Sequence, residues 1–259
     1  MPVFLFDYFM LKFFLPLLIL LLSGFTSNSQ VQRLHDKNTI GWMMYTGQFK
    51  LTPKLSVHTE YQWRRVNGLK NWQQNFVRTG FMYSVKKDIS LNAGYAFADT
   101  YSYGDYPGAF SFPEHRFFEQ VLIKTPMGRN ELSHRFTLEQ RFLGNVTIQN
   151  EIRHTDFYFL NRIRYRFRTD IPVQNRFSEK NKWMIALQDE IFVGWGKNIG
   201  ENIFDQNRMG VLLGYKLING LKLEAGYINQ FLQQAKRVND KPVIQYNHGF
   251  LLAANFSFF

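Results

Sequence analysis

Between Lys54 and Val66 the residues alternate in kind. Leu55, Val57, Thr59, Tyr61 and Trp63 fall on one face, and Ser56, His58, Glu60, Gln62 and Arg64 fall on the other. Successive side chains of a strand point to opposite faces, so this spacing predicts a two-sided strand of about a dozen residues. Strands of soluble sheets are usually about five or six residues long, whereas roughly 9–11 tilted residues cross a bilayer. The pattern recurs along the chain. Val77, Thr79, Phe81 and Tyr83 oppose Arg78, Gly80, Met82 and Ser84; Leu91, Ala93, Tyr95 and Phe97 oppose Asn92, Gly94 and Ala96. Phe136, Leu138 and Phe142 oppose Arg135, Glu139 and Arg141, and Ile163, Tyr165 and Phe167 alternate with Arg162, Arg164, Arg166 and Arg168. Met209, Val211 and Leu213 oppose Arg208 and Gly210, and Leu223, Ala225 and Tyr227 oppose Lys222, Glu224 and Gly226.

A soluble sandwich alternates too, but it buries its apolar face and wets a polar face of ordinary composition. Here the polar face is dense in Arg, Glu, Gln and Gly, and the opposite face carries the rings. Aromatic residues make up 17% of the chain although hydrophobic residues reach only 45% and the mean hydropathy is −0.28. Rings toward lipid and charges toward a lumen describe a transmembrane barrel, closed because an open edge would leave unpaired backbone groups in hydrocarbon. The expected fold is therefore an all-β, antiparallel, up-and-down barrel, with a periplasmic β-sandwich binding module as the remote alternative.

Connection lengths agree. Thr52-Pro53, Lys86-Lys87-Asp88, Pro126–Asn130 and Ile218-Asn219-Gly220 are short, whereas Asn67–Trp72, Ser102–Pro113, Leu143–Asp156, Gly194–Phe204 and Leu232–Val243 are longer. Short periplasmic turns and long outer loops are the asymmetry of bacterial barrels. Only Asp170–Lys182 is too long for its side. Eleven strands are legible, at about 39–51, 54–66, 73–85, 89–101, 114–125, 131–142, 157–169, 183–193, 205–216, 221–231 and 246–259. Single-chain bacterial barrels have even numbers of strands, so twelve are expected, with ten as the alternative.

Ahead of the barrel, Phe13–Leu22 is an apolar run too short to span a bilayer as a helix, preceded by Lys12 and followed by Ser27-Asn28-Ser29. This predicts a signal peptide over residues 1–29, cut near Ser29–Gln30, and a barrel domain over 30–259. Met10-Leu11-Lys12 supplies a charged start that Met1–Phe9 does not, which leaves Met1 and Met10 both open as the initiator. The net charge of +11 survives removal of Asp7 and Lys12. There is no Cys, which excludes thiol catalysis, disulfides and Cys-based zinc sites.

Several strings resemble the uncharacterised outer-membrane barrel family known as domain of unknown function 2490. They are Glu114-His115-Arg116 with Glu119-Gln120, His134-Arg135-Phe136-Thr137-Leu138-Glu139-Gln140-Arg141-Phe142, and Asn161-Arg162-Ile163-Arg164-Tyr165-Arg166 followed by Ile171-Pro172. Asp189-Glu190, Asp205-Gln206-Asn207-Arg208 and Tyr227 with Gln230 continue the likeness, which covers about residues 38–259. The resemblance implies a secreted barrel of the Gram-negative outer membrane and brings no activity and no catalytic residues.

On the inner face the sequence places Arg64, Arg78, Arg116, Arg135, Arg141, Arg162, Arg164, Arg166, Arg168 and Arg208, with Glu60, Glu139, Glu190 and Glu224. Ten Arg against four Glu leave six positive charges inside. Such a ladder lines an anion-selective pore or fills a narrow lumen with Arg–Glu pairs, and the filled or narrow lumen is favoured. Four Arg at period two stand about 6.6–7 Å apart and need counter-charge, for which Glu139 and Glu190 are the natural partners. The expected role is structural, or passive passage of small anions. The competing role is a lipid-modifying enzyme, a phospholipase or acyltransferase built on a barrel. That reading is weak, because Ser133 and His134 are neighbours on a strand and point to opposite faces. No Gly-x-Ser-x-Gly occurs, and His58, His115 and His154 lack metal-ligand spacing. Asp99, Asp105, Glu114 and Asp156 near the longer loops are of a kind that binds cations, but a solvated loop is their ordinary explanation, and Gly196 to Gly200 has no phosphate-loop spacing. The expectation is no cofactor, no catalysis and no nucleic acid. Expected partners are outer-membrane lipid, small anions, and the barrel-assembly machinery through a last strand ending at Phe259. Arg in place of the lipid-facing Phe81 or Leu138 should be costly, and Ser in place of the inward Gly94 should cost much less.

Overall fold

The computed structural model describes residues 32–173, 182–200, 202–218, 220–235 and 237–258. The expected leader over 1–29, the choice between Met1 and Met10, and Phe259 all lie outside the described residues. The alternating segments form strands β1 (Leu34–Lys50), β2 (Leu55–Val66), β3 (Asn71–Ser84), β4 (Ile89–Thr100), β5 (Phe112–Met127), β6 (Asn130–Gln149), β7 (Ile152–Pro172), β8 (Trp183–Trp195), β9 (Phe204–Ile218), β10 (Leu221–Gln233) and β11 (Val243–Phe258). Each pairs antiparallel with its sequence neighbours, and β1 pairs with β11 to close the sheet.

Among the described residues the barrel has eleven strands, neither the twelve nor the ten expected. The even-number expectation assumes that the closing pair is antiparallel. Here β1 and β11 run in the same direction, in unbroken register from Leu34↔Val243 to Phe49↔Phe258. A parallel seam closes an odd number of strands with every ladder filled, so no further strand is needed before Thr39.

One expected long loop is also absent. β6 and β7 continue past Leu143, the last residue of β6 that β5 reaches, up to Gln149↔Ile152. Their turn is Asn150-Glu151, with φ of 51° and 63°. Two consecutive positive φ values are the signature of the tight hairpin turn whose twist suits its strands. Residues expected in a loop therefore form a ribbon standing above the wall. The longer connections 101–111, 196–203 and 234–242 lie at that same end, and turns 51–54, 85–88 and 128–129 lie at the other.

The faces follow the alternation. Phe81 is 61% exposed and Leu138 36%, whereas Glu60 and Arg64 are buried. Outward polar pairs interrupt the apolar band. Asp189 accepts a bond from Asn207 at 2.6 Å, and Glu119 accepts one from Gln140 at 3.1 Å. The interior differs more from expectation, because it is not wholly polar. Ile40, Trp42, Val66, Ala186, Leu212, Ile228, Leu251 and Ala253 pack together inside the barrel, and Phe76 packs with Ala96 and Ala98.

The expected tolerance of Gly94 is overturned. Gly94 faces Gly80 across β3 and β4, and a Cβ added to it would stand 2.1 Å from the Thr79 carbonyl oxygen. Backbone cannot yield as a side chain does, so the pair of glycines is required by close strand approach.

Candidate functional site

The lumen holds the charge ladder, and its geometry follows from which strands neighbour β7. Arg162, Arg164, Arg166 and Arg168 project inward from β7, flanked by β6 and β8. Glu139 of β6 accepts from Arg162 Nε at 2.8 Å and from Arg164 Nη1 at 2.6 Å. Glu190 of β8 accepts from Arg164 Nη2 at 2.8 Å and from Arg135 Nη2 at 2.9 Å. Farther round, Glu60 pairs with Arg78 at 2.8 Å, and Arg168 bonds both Asp170 and, across the lumen on β10, Glu224.

Glu114 is the largest departure from the sequence reading. Expected in a solvated loop, it is 2% exposed and takes the forks of two arginines, Arg116 at 2.6 and 2.7 Å and Arg141 at 2.5 and 3.2 Å. The signal was present, since Glu114 and Arg116 are two apart and so share a face. Asp170 carries the same signal relative to Arg168. Asp205 carries no such signal. It is the extra residue of a bulge, because Gln206 pairs with Phe192 and Phe204 with Val193. A bulge re-aims a side chain against the alternation, and Asp205 reaches Arg162 at 2.5 Å. Gln73 is skipped in the β2–β3 register in the same way, and it accepts from Trp42 Nε1 at 2.6 Å.

With Glu114, Asp170 and Asp205 added, seven carboxylates pair with seven of the ten Arg, and three Arg are left over. Among the described residues Arg64, Arg166 and Arg208 have no carboxylate at ion-pair distance. Two of them use rings instead. Arg64 lies 4.2 Å from the Trp42 ring centroid, and Arg208 lies 5.0 Å from Trp42 and 4.6 Å from Phe192. Desolvated cation–π contacts of this kind are worth about 2 kcal/mol. Amides complete their environment, with Gln74 accepting from Arg64 at 2.7 Å and Gln206 from Arg208 at 3.0 Å.

The loop end of the lumen is packed. Tyr103, from the connection between β4 and β5, reaches in to donate to Gln245 and accept from Gln73 and Asn247, each at 3.1 Å. Burial pushes its hydroxyl above the usual phenol range. Beside it Asp36, fully buried, accepts from Asn38, Gln245 and the Asp105 amide. Gly104 has φ of +85°, and a Cβ there would stand 2.1 Å from Asp36 Oδ2, so the loop can press this close only as glycine.

Among the described residues the short-turn end is open. A cavity of about 320 Å³ extends from Trp42 and Arg64 down to Lys124, Glu131 and Lys222. Lys124 and Glu131 are 44% and 49% exposed at its mouth. Arg78, Arg116, Arg135, Arg164, Arg166, Arg168, Arg208, Glu190 and Glu224 line it, while Glu139, Arg141 and Arg162 lie outside its lining. Of the residues weighed for catalysis, Ser133 is buried and lines the cavity. His134 bonds Tyr165 at 2.9 Å, on the opposite face of the strand.

Comparison with known proteins places the chain in a family. The family model described as "Protein of unknown function (DUF2490)" matches residues 39–241, and the chain belongs to that family. Among solved structures, the beta domain of the Bordetella autotransporter Brka aligns at 9% identity and a TM-score of 0.46, covering 82% of this chain and 86% of that one. The NanC porin aligns at 8% identity and a TM-score of 0.46, covering 84% of this chain and 97% of that one. No curated protein matches the sequence at a significant level.

Proposed function

We propose that the chain is an outer-membrane barrel whose lumen is closed at the loop end by its own side chains and open at the short-turn end as an arginine-lined vestibule. It acts as a structural element that holds small anions, without catalytic chemistry. The observation that carries this reading is the burial of the inward polar groups near the loop end. Asp36 and Asn247 are fully buried, and Glu114, Glu139 and Gln206 nearly so, although all face a lumen that water would reach if it were open. The outward band, apolar apart from positions such as Asp189 and Glu119, supports a lipid surround. Short turns face the periplasm in bacterial barrels, so the vestibule opens inward toward the cell. Assembly by the barrel-assembly machinery through the last strand fits a chain of this kind.

Two measurements test the reading. The purified protein should run on an SDS gel at a different position before and after boiling, and a single position in both lanes would argue against a membrane barrel. Liposomes carrying the heat-shifting form should not swell in small neutral solutes, and swelling would argue for an open lumen. The three Arg without carboxylates favour a second reading, an anion-selective pore that opens when the packed end is displaced.

A further inference from the structure

The cavity carries an apolar patch on one arc of the barrel and a cluster of unpaired polar groups on another, and the strand order sets the two opposite each other. Strands β9, β10, β11 and β1 are consecutive round the barrel and supply an apolar patch of Leu212, Ile228, Leu251 and Met44, with Arg208, Lys222, Glu224 and Asn255 elsewhere on the same arc. The arc from β3 to β7 supplies Arg78, Asn92, Arg135 and Arg166. On that arc hydrogen-bonding capacity is left unused. The Nε atoms of Arg78, Arg135 and Arg166, and both polar side-chain atoms of Asn92, are buried without a partner among the described residues. Asn92 is 3% exposed and Arg78 5%, so these are side chains committed to the interior rather than to bulk water.

A buried polar atom left unmet costs about 1–3 kcal/mol, and more when it belongs to a charged group. Several such atoms on one arc are mostly donors, and Arg166 adds a positive charge that no carboxylate neutralises. What would satisfy them together is a multi-oxygen anion, since a guanidinium fork matches carboxylate and phosphate alike. On the facing arc the patch of Met44, Leu212, Ile228 and Leu251 can bury an apolar body.

The geometry points to a binding site for a small amphiphilic oxyanion, a carboxylate or phosphate head on a compact apolar body. The head lies against Arg135, Arg166 and Asn92, and the body lies against Met44, Leu212 and Leu251. The volume of about 320 Å³ is at the lower end for ligand pockets, which limits the body to a single ring or a short chain. Entry is from the short-turn end. This inference deepens the closed-lumen reading by naming what the vestibule holds.

The test is calorimetric titration of the full barrel in uncharged detergent with phenyl phosphate, benzoate, inorganic phosphate and benzyl alcohol. At least one of phenyl phosphate and benzoate should bind, the better one identifying the head group, and inorganic phosphate and benzyl alcohol should bind at least about tenfold more weakly. Arg166→Gln strands no carboxylate and should weaken the bound anion by about tenfold. Met44→Ser should weaken phenyl phosphate severalfold and leave inorganic phosphate unchanged. Equal binding of inorganic phosphate and phenyl phosphate, an Arg166→Gln protein that binds like the parent, or no heat from any probe would each overturn the assignment. If Arg166→Gln gives no heat-shifting band, Asn92→Ala carries the same comparison. A heat-shifting, non-conducting barrel that does not titrate refutes this inference alone, whereas a conducting barrel refutes the closed lumen and leaves the titration to decide the site.

Discussion

Glu139→Gln is the most informative single change in the lumen. Glu139 is 2% exposed and accepts three bonds, from Arg162 Nε and Nη2 at 2.8 and 2.5 Å and from Arg164 Nη1 at 2.6 Å. Glutamine keeps the shape, removes the charge and turns an amide N–H₂ toward two guanidinium groups. Removing one partner of a buried ion pair costs about 3–5 kcal/mol. Each arginine keeps a second carboxylate here, Asp205 at 2.5 Å for Arg162 and Glu190 at 2.8 Å for Arg164. That retention puts the expected loss at the lower end, about 3 kcal/mol. The assay is reversible urea unfolding of the barrel in micelles, read by the fraction of heat-shifting band. Adding Arg162→Gln should recover part of the loss, because the second change removes the charge that the first left uncompensated. A single-variant loss below about 1 kcal/mol, in the range of an exposed pair, would refute the view that the network is dry and structural.

Four other outcomes are expected on the same unfolding assay. Phe81→Arg should cost about 2–4 kcal/mol if its position is at mid-membrane, and Gly94→Ser should also destabilise, because its Cβ meets backbone. Asp189→Leu should stabilise by about 1–2 kcal/mol by removing a carboxylate from the lipid-facing band, and destabilisation would mean that something other than lipid covers that face. Tyr103→Phe should cost about 1–3 kcal/mol by leaving the Gln245 carbonyl without its donor and the Gln73 and Asn247 amides with Gln230 alone as side-chain acceptor, and a neutral result would show that water already reaches them.

The architecture was legible because alternation over a dozen residues has few physical solutions, and the strands from β2 to β10 lie close to where the periodicity puts them. The strand number departs from expectation because the rule of even counts does not hold for a parallel seam, and the eleven segments visible in the sequence are the eleven strands. Nothing local in β1 or β11 announces that they pair in parallel, since closure joins the two ends of the chain. The Asn150-Glu151 turn was hidden for a different reason. Alternation persists over Asn145–Gln149, but on the β7 flank Thr155 and Arg153 stand opposite Val146 and Ile148 on the same face, which dilutes the apolar face that marks the wall. Among the site residues, Glu114 and Asp170 could have been placed by parity with Arg116 and Arg168. Asp205 and Gln73 could not, because each is aimed by a bulge, and a bulge breaks the periodicity on which the reading rests. The apolar patch of the lumen is not legible from residue type, since apolar residues also form the outer band, but Trp42, Leu212 and Leu251 share the parity of the inward residues on their own strands.

The central claim is that the barrel is closed at rest, and single-channel recording in a planar bilayer tests it most directly. Heat-shifting protein inserted into the bilayer should give no steady current steps in potassium chloride at moderate voltage. Steady ohmic steps from the unmodified protein would contradict the account, and a preference for cations would contradict the anion-selective pore as well, since the inward arginines outnumber their carboxylates.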